Sequence, residues 1–178
     1  MKHEPPLARR TLLVGAAAGG AVIAGNLAWR ALNPAPVQLS PAAENFWAQR
    51  FPALDGTELA VSRWRGQRLL VNFWATWCPP CVKELPEINQ FYNEAKGQGW
   101  QVLALAVDQL DPVKAFLQKT PLDFPVALAG PKGLGLVREL GNAAGGLPFS
   151  LAFDTAGEIG WRRLGVTRLE DLRELAKT

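Results

Sequence analysis

The chain is poor in residues that bind metals. Its 178 residues include only two cysteines, Cys78 and Cys81, and one histidine, His3. A zinc site needs about four ligands, so the cysteine pair is too small to form one, and His3 lies in the N-terminal tail. The sequence also lacks a glycine-rich phosphate-binding loop. We therefore expect no metal, flavin or nucleotide cofactor.

Most of the chain carries no net charge. The formal net charge is +3. All of this excess lies before residue 36, where Lys2, Arg9, Arg10 and Arg30 are opposed only by Glu4. The remaining residues carry equal numbers of acidic and basic side chains. The basic isoelectric point thus reflects the N-terminus and gives no indication of nucleic acid binding.

Residues 11–29 contain no charged side chain and are rich in small and aliphatic residues. Nineteen helical residues span about 28 Å, close to the roughly 30 Å hydrocarbon core of a bilayer. Three basic residues precede the run and only Arg30 follows it, which predicts a cytoplasmic N-terminus. The sequence thus predicts a cytoplasmic basic tail over residues 1–10 and a transmembrane anchor or signal segment over residues 11–29.

The same segment allows other interpretations. Residues 9–13, Arg-Arg-Thr-Leu-Leu, resemble a twin-arginine export signal. Cleavage would leave a soluble periplasmic domain, but the small-x-small cleavage sites near the end of the run are ambiguous. A buried helix of a soluble protein is a third alternative. We expect an uncleaved anchor in the inner membrane.

The rest of the chain divides into a spacer and one domain. Residues 30–41 contain Pro34, Pro36 and Pro41 and are typical of an extended spacer. Residues 42–178 are long enough to form a single domain with a sizeable core. Within it we expect a hairpin at Asp55 and a helix that begins at Asp111 as its N-cap.

One stretch dominates this domain. Residues 69–74 are Leu-Leu-Val-Asn-Phe-Trp, a run typical of a buried parallel strand. A short turn leads to Cys78, and Pro79 and Pro80 suit the first turn of the helix that follows. Cys78 is therefore predicted at the helix N-terminus, with Cys81 one turn further along.

This placement predicts thiol chemistry. Cysteines three residues apart on a helix share a face and can form a disulfide. The helix dipole and free N–H groups favour an exposed thiolate at Cys78, the attacking group of thiol–disulfide exchange. Cys81 would be the sheltered resolving thiol, and Glu84 could exchange a proton with it. A structural disulfide, and a solvated Glu84 that only complements the helix dipole, remain as alternatives.

Residues 72–86 read Asn-Phe-Trp-Ala-Thr-Trp-Cys-Pro-Pro-Cys-Val-Lys-Glu-Leu-Pro. This motif resembles the signature of the TlpA/ResA-like branch of the thioredoxin superfamily. The resemblance continues to the C-terminus and includes residues 51–56, 146–148 and 153–157. It implies a thioredoxin-like α/β fold with a central mixed β-sheet flanked by helices, preceded here by the membrane-spanning or signal helix. It also implies extracytoplasmic thiol–disulfide oxidoreductase activity, often as a reductant in cytochrome c maturation.

The resemblance assigns roles to individual residues. It matches Cys78 to the nucleophile, Cys81 to the resolving cysteine and Glu84 to a buried acid. It matches Pro148 to a cis-proline that faces the dithiol, although only about 5–6% of X–Pro bonds in folded proteins are cis. Asn72 stands where ordinary thioredoxin has a buried aspartate, which leaves Glu84 as the only nearby acid.

Three further residues bear on substrate binding. A cis bond would direct the backbone of Leu147 towards the dithiol, where it could pair with an extended substrate chain. We expect Trp77 to border the docking surface and Trp74 to lie in the core. Many relatives have threonine where this chain has Phe149, so the shape of the substrate groove is not predicted.

The sequence thus predicts a membrane-anchored periplasmic oxidoreductase. Its partners would be proteins that carry disulfides and a membrane thiol electron donor. A thiol peroxidase is an alternative, since Thr76 lies near Cys78, but the second cysteine indicates dithiol exchange. A copper chaperone would need a wider cysteine spacing and a histidine in the domain. A redox-inert docking module is the remaining alternative.

Overall fold

The structure of the chain is a computed structural model that describes Trp29 and residues 38–177. The predicted basic tail over residues 1–10 lies outside the described residues. The same is true of the predicted segment over residues 11–29, except Trp29, and of most of the spacer. No helix in the part of the chain that the structure describes is long and apolar enough to span a bilayer.

Five α-helices, two short 3₁₀ helices and seven strands form the described domain. The helices are α1 (Pro41–Ala48), α2 (Pro79–Ala95), α3 (Leu110–Lys119), α4 (Gly133–Glu139) and α5 (Leu169–Ala176). The strands are β1 (Arg50–Pro52), β2 (Glu58–Ala60), β3 (Arg68–Trp74), β4 (Trp100–Ala106), β5 (Val126–Leu128), β6 (Phe149–Phe153) and β7 (Ile159–Leu164).

The five-stranded sheet has the order β5-β4-β3-β6-β7. Strand β3 is parallel to β4, and β4 to β5, whereas β6 is antiparallel to both β3 and β7. The parallel step from β3 through α2 to β4 is the crossover that the two apolar runs and the intervening helix predict. The thioredoxin-like fold with a central mixed sheet is therefore confirmed.

Strand β3 is buried on both faces because helices cover both sides of the sheet. Successive side chains of a strand point to opposite faces. Leu69, Val71 and Phe73 belong to the core that includes α1, while Leu70 and Trp74 belong to the core that includes α2. The unbroken apolar run reflects this two-sided burial. Position 72 falls on the α2 face of the sheet.

The predicted hairpin is present, but two predicted boundaries are wrong. Strands β1 and β2 pair antiparallel around a turn in which Gly56 has φ +85°. Helix α3 begins at Leu110, so Asp111 lies in its first turn and Gln109 precedes it without a side-chain cap. Leu39 packs against the core and Pro41 starts α1, so the folded part begins before the predicted end of the spacer.

A cluster of three arginines, two before β3 and one at its first residue, is explained by packing. Arg63 lies over Trp64 at 5.3 Å, Arg65 over Trp47 at 5.6 Å and Arg68 over Trp100 at 5.2 Å, each measured from the guanidinium carbon to the ring centroid. Guanidinium groups are attracted to the faces of aromatic rings at these distances. Their structural role is therefore to cover tryptophan rings at the edge of the core.

Candidate active site

The two cysteines lie where β3 passes into α2. Cys78 is the N-cap residue of α2, with φ −106° and ψ 97°, and Pro79 and Pro80 occupy the first turn. The proline nitrogens carry no hydrogen, so the first turn presents fewer N–H groups that need partners. The backbone N–H of Cys81 donates to Cys78 Sγ at 3.3 Å. The sulfur thus takes the position that a capping oxygen occupies in other helices.

The cysteines form a disulfide in this structure. The Sγ atoms are 2.02 Å apart and the Cα atoms 5.3 Å apart. Cys78 is 5% exposed and Cys81 is fully buried. The exposed fraction of Cys78 is smaller than its predicted role implies, but the order of accessibility is the predicted one. An incoming thiolate would therefore meet Cys78 before Cys81.

Glu84 is fully buried, so it is not a solvated partner of the helix dipole. Its Oε1 accepts a hydrogen bond from Asn72 Nδ2 at 2.7 Å, and its Oε2 accepts one from the Thr167 backbone N–H at 2.7 Å. Burial raises the pKa of Glu84 to about 7, although these two hydrogen bonds act in the opposite direction. A carboxyl with this pKa can take up or release a proton near neutral pH.

Two residues that the sequence did not single out complete a buried polar cluster. Ser150 Oγ accepts from Asn72 Nδ2 at 3.0 Å and from Thr167 Oγ1 at 3.0 Å. Asn72, Ser150 and Thr167 are all fully buried. No local sequence signal identifies Thr167, because it lies 83 residues after Glu84. Ser150 could have been found from strand pairing, since it lies opposite Asn72 on the neighbouring strand.

The peptide bond between Leu147 and Pro148 is cis, as predicted. Phe149, the next residue, pairs with Phe73 near the end of β3. Pro148 therefore lies at the same edge of the sheet as the cysteines that follow β3. The side chain of Leu147 is partly buried against the core.

The surface next to the cysteines carries exposed apolar side chains. Trp77 is 61% exposed, whereas Trp74 is fully buried, as the sequence predicted. Leu164 and Val166 are 58% and 43% exposed, and Leu164 pairs with Phe149, which places it beside Pro148. No local sequence pattern identifies this second apolar site, because Leu164 ends an ordinary alternating strand.

No group of three or more metal-binding side chains is present among the residues that the structure describes. Thr76 is engaged by Asp108, whose Oδ2 accepts from both the Thr76 backbone N–H and its hydroxyl, at 2.8 and 2.6 Å. The site therefore offers a redox-active sulfur pair, a buried carboxyl and an apolar rim. This combination suits the exchange of disulfides with another polypeptide.

Comparisons with known proteins agree with this chemistry. The Redoxin family matches residues 35–177. The thiol-disulfide oxidoreductase ResA of Bacillus thuringiensis subsp. konkukian is 34% identical over 125 residues, which is 70% of each chain. The ResA of Halalkalibacterium halodurans is 31% identical over 107 residues, which is 60% of this chain and 58% of the relative.

Solved structures show the same fold. A thiol:disulfide interchange protein of the thioredoxin family from Chlorobium tepidum TLS is 27% identical, with a TM-score of 0.65 over 80% of this chain and 97% of that one. StoA from Bacillus subtilis is 25% identical, with a TM-score of 0.58 over 71% and 93% of the two chains. The chain therefore belongs to the ResA/TlpA-like thiol-disulfide oxidoreductases of the thioredoxin superfamily.

Proposed function

We propose that this oxidoreductase is anchored in the inner membrane by residues 11–29 and reduces disulfides of partner proteins in the periplasm, for example during cytochrome c maturation. The observation that carries the proposal is the Cys78–Cys81 pair at the N-terminus of α2, of which only Cys78 reaches the surface. Pro148 and the exposed Trp77 lie beside it and would contact the substrate chain.

The reaction starts from the reduced protein. The Cys78 thiolate, favoured at the helix N-terminus, attacks one sulfur of the partner's disulfide. That disulfide breaks, its second sulfur leaves with the electron pair, and a mixed disulfide with Cys78 remains.

Cys81 then completes the exchange. Its S–H proton passes to the Glu84 carboxylate, and Cys81 Sγ attacks Cys78 Sγ. The intramolecular disulfide forms, the mixed disulfide breaks, and the partner leaves as a thiolate that takes a proton from water. Two electrons have passed to the partner, and the Cys78–Cys81 disulfide is the oxidised product.

A second partner must restore the dithiol. Disulfides persist in the oxidising periplasm, so a reductant working there needs a source of electrons. We infer a membrane thiol donor that attacks Cys78 in turn. We infer that the exposed Trp77, next to Cys78, contacts both partners, which dock at different times.

Trapping of the mixed disulfide tests the reaction. A Cys81→Ser variant lacks the resolving sulfur, so partners should remain attached to Cys78 as reductant-sensitive adducts on non-reducing gels. The Cys78→Ser/Cys81→Ser double variant is the matched control and should show none. Adducts that are equally abundant in both variants, or absent from both, would contradict the proposal.

The membrane topology needs a separate test. Alkaline phosphatase fused after Thr178 is active only outside the cytoplasm, and we expect activity that stays with the membrane during alkaline extraction. An inactive fusion would contradict the periplasmic location. An active fusion in the soluble fraction would instead support the alternative of a cleaved signal and a soluble periplasmic domain.

The other candidate functions have less support. A thiol peroxidase would use a threonine near the reactive cysteine, but the Thr76 hydroxyl donates to Asp108. A redox-inert docking module does not account for the Cys78–Cys81 disulfide in a chain that is 34% identical to a relative named as a thiol-disulfide oxidoreductase. Peroxide consumption by the purified chain would separate the peroxidase from the disulfide reductase.

A further inference from the structure

The buried polar cluster behind the dithiol contains an unsatisfied acceptor. Asn72 Oδ1 has no hydrogen-bond partner within the described residues. Nδ2 of the same amide donates twice, to Glu84 Oε1 at 2.7 Å and to Ser150 Oγ at 3.0 Å. A buried carbonyl oxygen without a partner is costly, so a feature of this kind calls for a physical reason.

A second arrangement of the same amide is available at a similar cost, because it leaves Nδ2 instead of Oδ1 without a partner. A half-turn of the Asn72 side chain exchanges Nδ2 and Oδ1, so that Oδ1 faces Glu84 and Ser150. Thr167 Oγ1 donates to Ser150 Oγ, which leaves the Ser150 hydroxyl hydrogen free to donate to Oδ1. Glu84 can donate to Oδ1 only when its Oε1 carries a proton.

The two arrangements thus match the two charge states of Glu84. The observed arrangement donates to a carboxylate, and the turned arrangement accepts from a carboxylic acid. In both, Glu84 Oε2 keeps the hydrogen bond from the Thr167 backbone N–H, observed at 2.7 Å. The carboxyl therefore need not move when its charge changes.

We propose that Asn72 is a positioning residue for the proton step, whose amide turns when Glu84 gains a proton and turns back when Glu84 loses it. The inference rests on the proposed function. The proton that leaves Cys81 Sγ as the disulfide forms would end on Glu84 Oε1, held by Asn72 Oδ1. Apart from the Asn72 amide, only the Ser150 hydroxyl hydrogen need turn for the proton to be stored.

The charged side chains near Glu84 are exposed, paired with other groups or distant from it. On α2, Lys83 is exposed, and Glu87 raises the pKa of Glu84 by repulsion while its Oε2 accepts from the Leu169 backbone N–H. At the start of α5, Arg168 pairs with Glu170, and Asp171 pairs with Arg163. Strand β6 carries no charged residue, and the one charged residue of β3, Arg68, lies at its far end.

Nuclear magnetic resonance of the oxidised full-length chain tests the turn directly. The ¹³C shift of the Glu84 carboxyl reports its protonation, and the ¹⁵N and ¹H shifts of the Asn72 amide report its orientation. We expect both to titrate with one midpoint, and the Asn72 amide protons to lose their contact with Ser150 below it. An Asn72 amide that keeps this contact on both sides of the Glu84 midpoint would overturn the proposal.

A substitution tests whether the Asn72 amide in turn affects the pKa of Glu84. In Asn72→Leu, Glu84 loses a hydrogen bond in both charge states, and because the bond to the carboxylate is the stronger one its pKa should rise by less than about 1 unit. Asn142→Leu is the control, since Asn142 is also a buried asparagine whose amide donates to the Gly146 carbonyl at 2.8 Å. The control should leave the Glu84 midpoint unchanged. A rise of about 2 units in Asn72→Leu would also overturn the proposal, because it would mean that Asn72 bonds only the charged form of Glu84 and does not turn.

The wild-type titration remains decisive if Asn72→Leu does not fold. Insulin reduction by the wild-type chain is measured separately and tests the proposed function alone. A coupled titration without insulin reduction would refute the reductase and leave the turning amide standing. Insulin reduction without a coupled titration would support the reductase and refute the turning amide.

Discussion

The stability of the oxidised chain should fall as the pH rises from 5 to 8, and Glu84 should be the cause. Its pKa is raised from 4.5 to about 7 in the folded chain. The folded chain therefore binds more protons than the unfolded chain between these two values, so stability is lost as the pH rises through them. The two pKa values correspond to a loss of about 2.5 kcal/mol between pH 5 and pH 8.

A Glu84→Gln variant removes this titration and keeps the size of the side chain. Changed hydrogen bonds to Asn72 and Thr167 shift its stability by an amount that does not depend on pH. The difference in unfolding free energy between variant and wild type should therefore move by about 2.5 kcal/mol in favour of the variant from pH 5 to pH 8. Urea unfolding would show this as a relative midpoint shift of about 1 M.

A second carboxylate, which does not change its charge between pH 5 and pH 8, provides the control. Arg173 holds the pKa of Glu94 down at about 2, so this carboxyl stays ionised throughout the window. A Glu94→Gln variant should therefore keep the slope of the wild type between pH 5 and pH 8. Parallel profiles for the wild type and Glu84→Gln would refute the reasoning, because they would show that burial does not raise the proton affinity of Glu84.

Three further predictions concern packing and the surface. Trp77→Ala removes an exposed ring, so it should raise the KM for insulin reduction while the urea midpoint stays within error; a large loss of stability would contradict its place on the rim. Phe73→Ala opens a cavity in a fully buried site and should lower the unfolding free energy by about 3–5 kcal/mol, again measured in urea. Gly157→Ala forces a side chain at φ +91° and places its Cβ 3.2 Å from Trp47 Nε1. It should lower the unfolding free energy more than Gly56→Ala does, because at Gly56 φ is +85° but the space is open. Equal losses at the two glycines would show that the contact with Trp47 contributes nothing.

Strand β3 and the start of α2 could be predicted because the sequence patterns that specify them are local. An apolar run predicts a strand that is buried on both faces, and the two prolines after Cys78 predict the start of a helix. The cysteine spacing then places both sulfurs on one face of that helix. None of these steps depends on the rest of the fold. Asp111 shows the limit, because several residues near a helix start can serve as its cap and small backbone shifts decide between them.

The identity of Pro148 as a cis residue came from the family resemblance and not from physical chemistry. An isolated sequence favours the trans form of an X–Pro bond. The pairing of Phe149 with Phe73 then shows why the position matters, since it brings the proline to the edge of the sheet where the cysteines lie. That neighbourhood follows from an antiparallel pairing between distant segments.

The sequence by itself determined which sulfur atoms react and on which element they lie, because the residues involved are neighbours along one helix. Only the tertiary structure decided the environment of Glu84 and the exposure of Leu164 and Val166. Thr167 reaches Glu84 from 83 residues away, and Ser150 comes from another strand. Burial and hydrogen bonding by distant segments set the pKa of a carboxyl, and no pattern within a single helix encodes them.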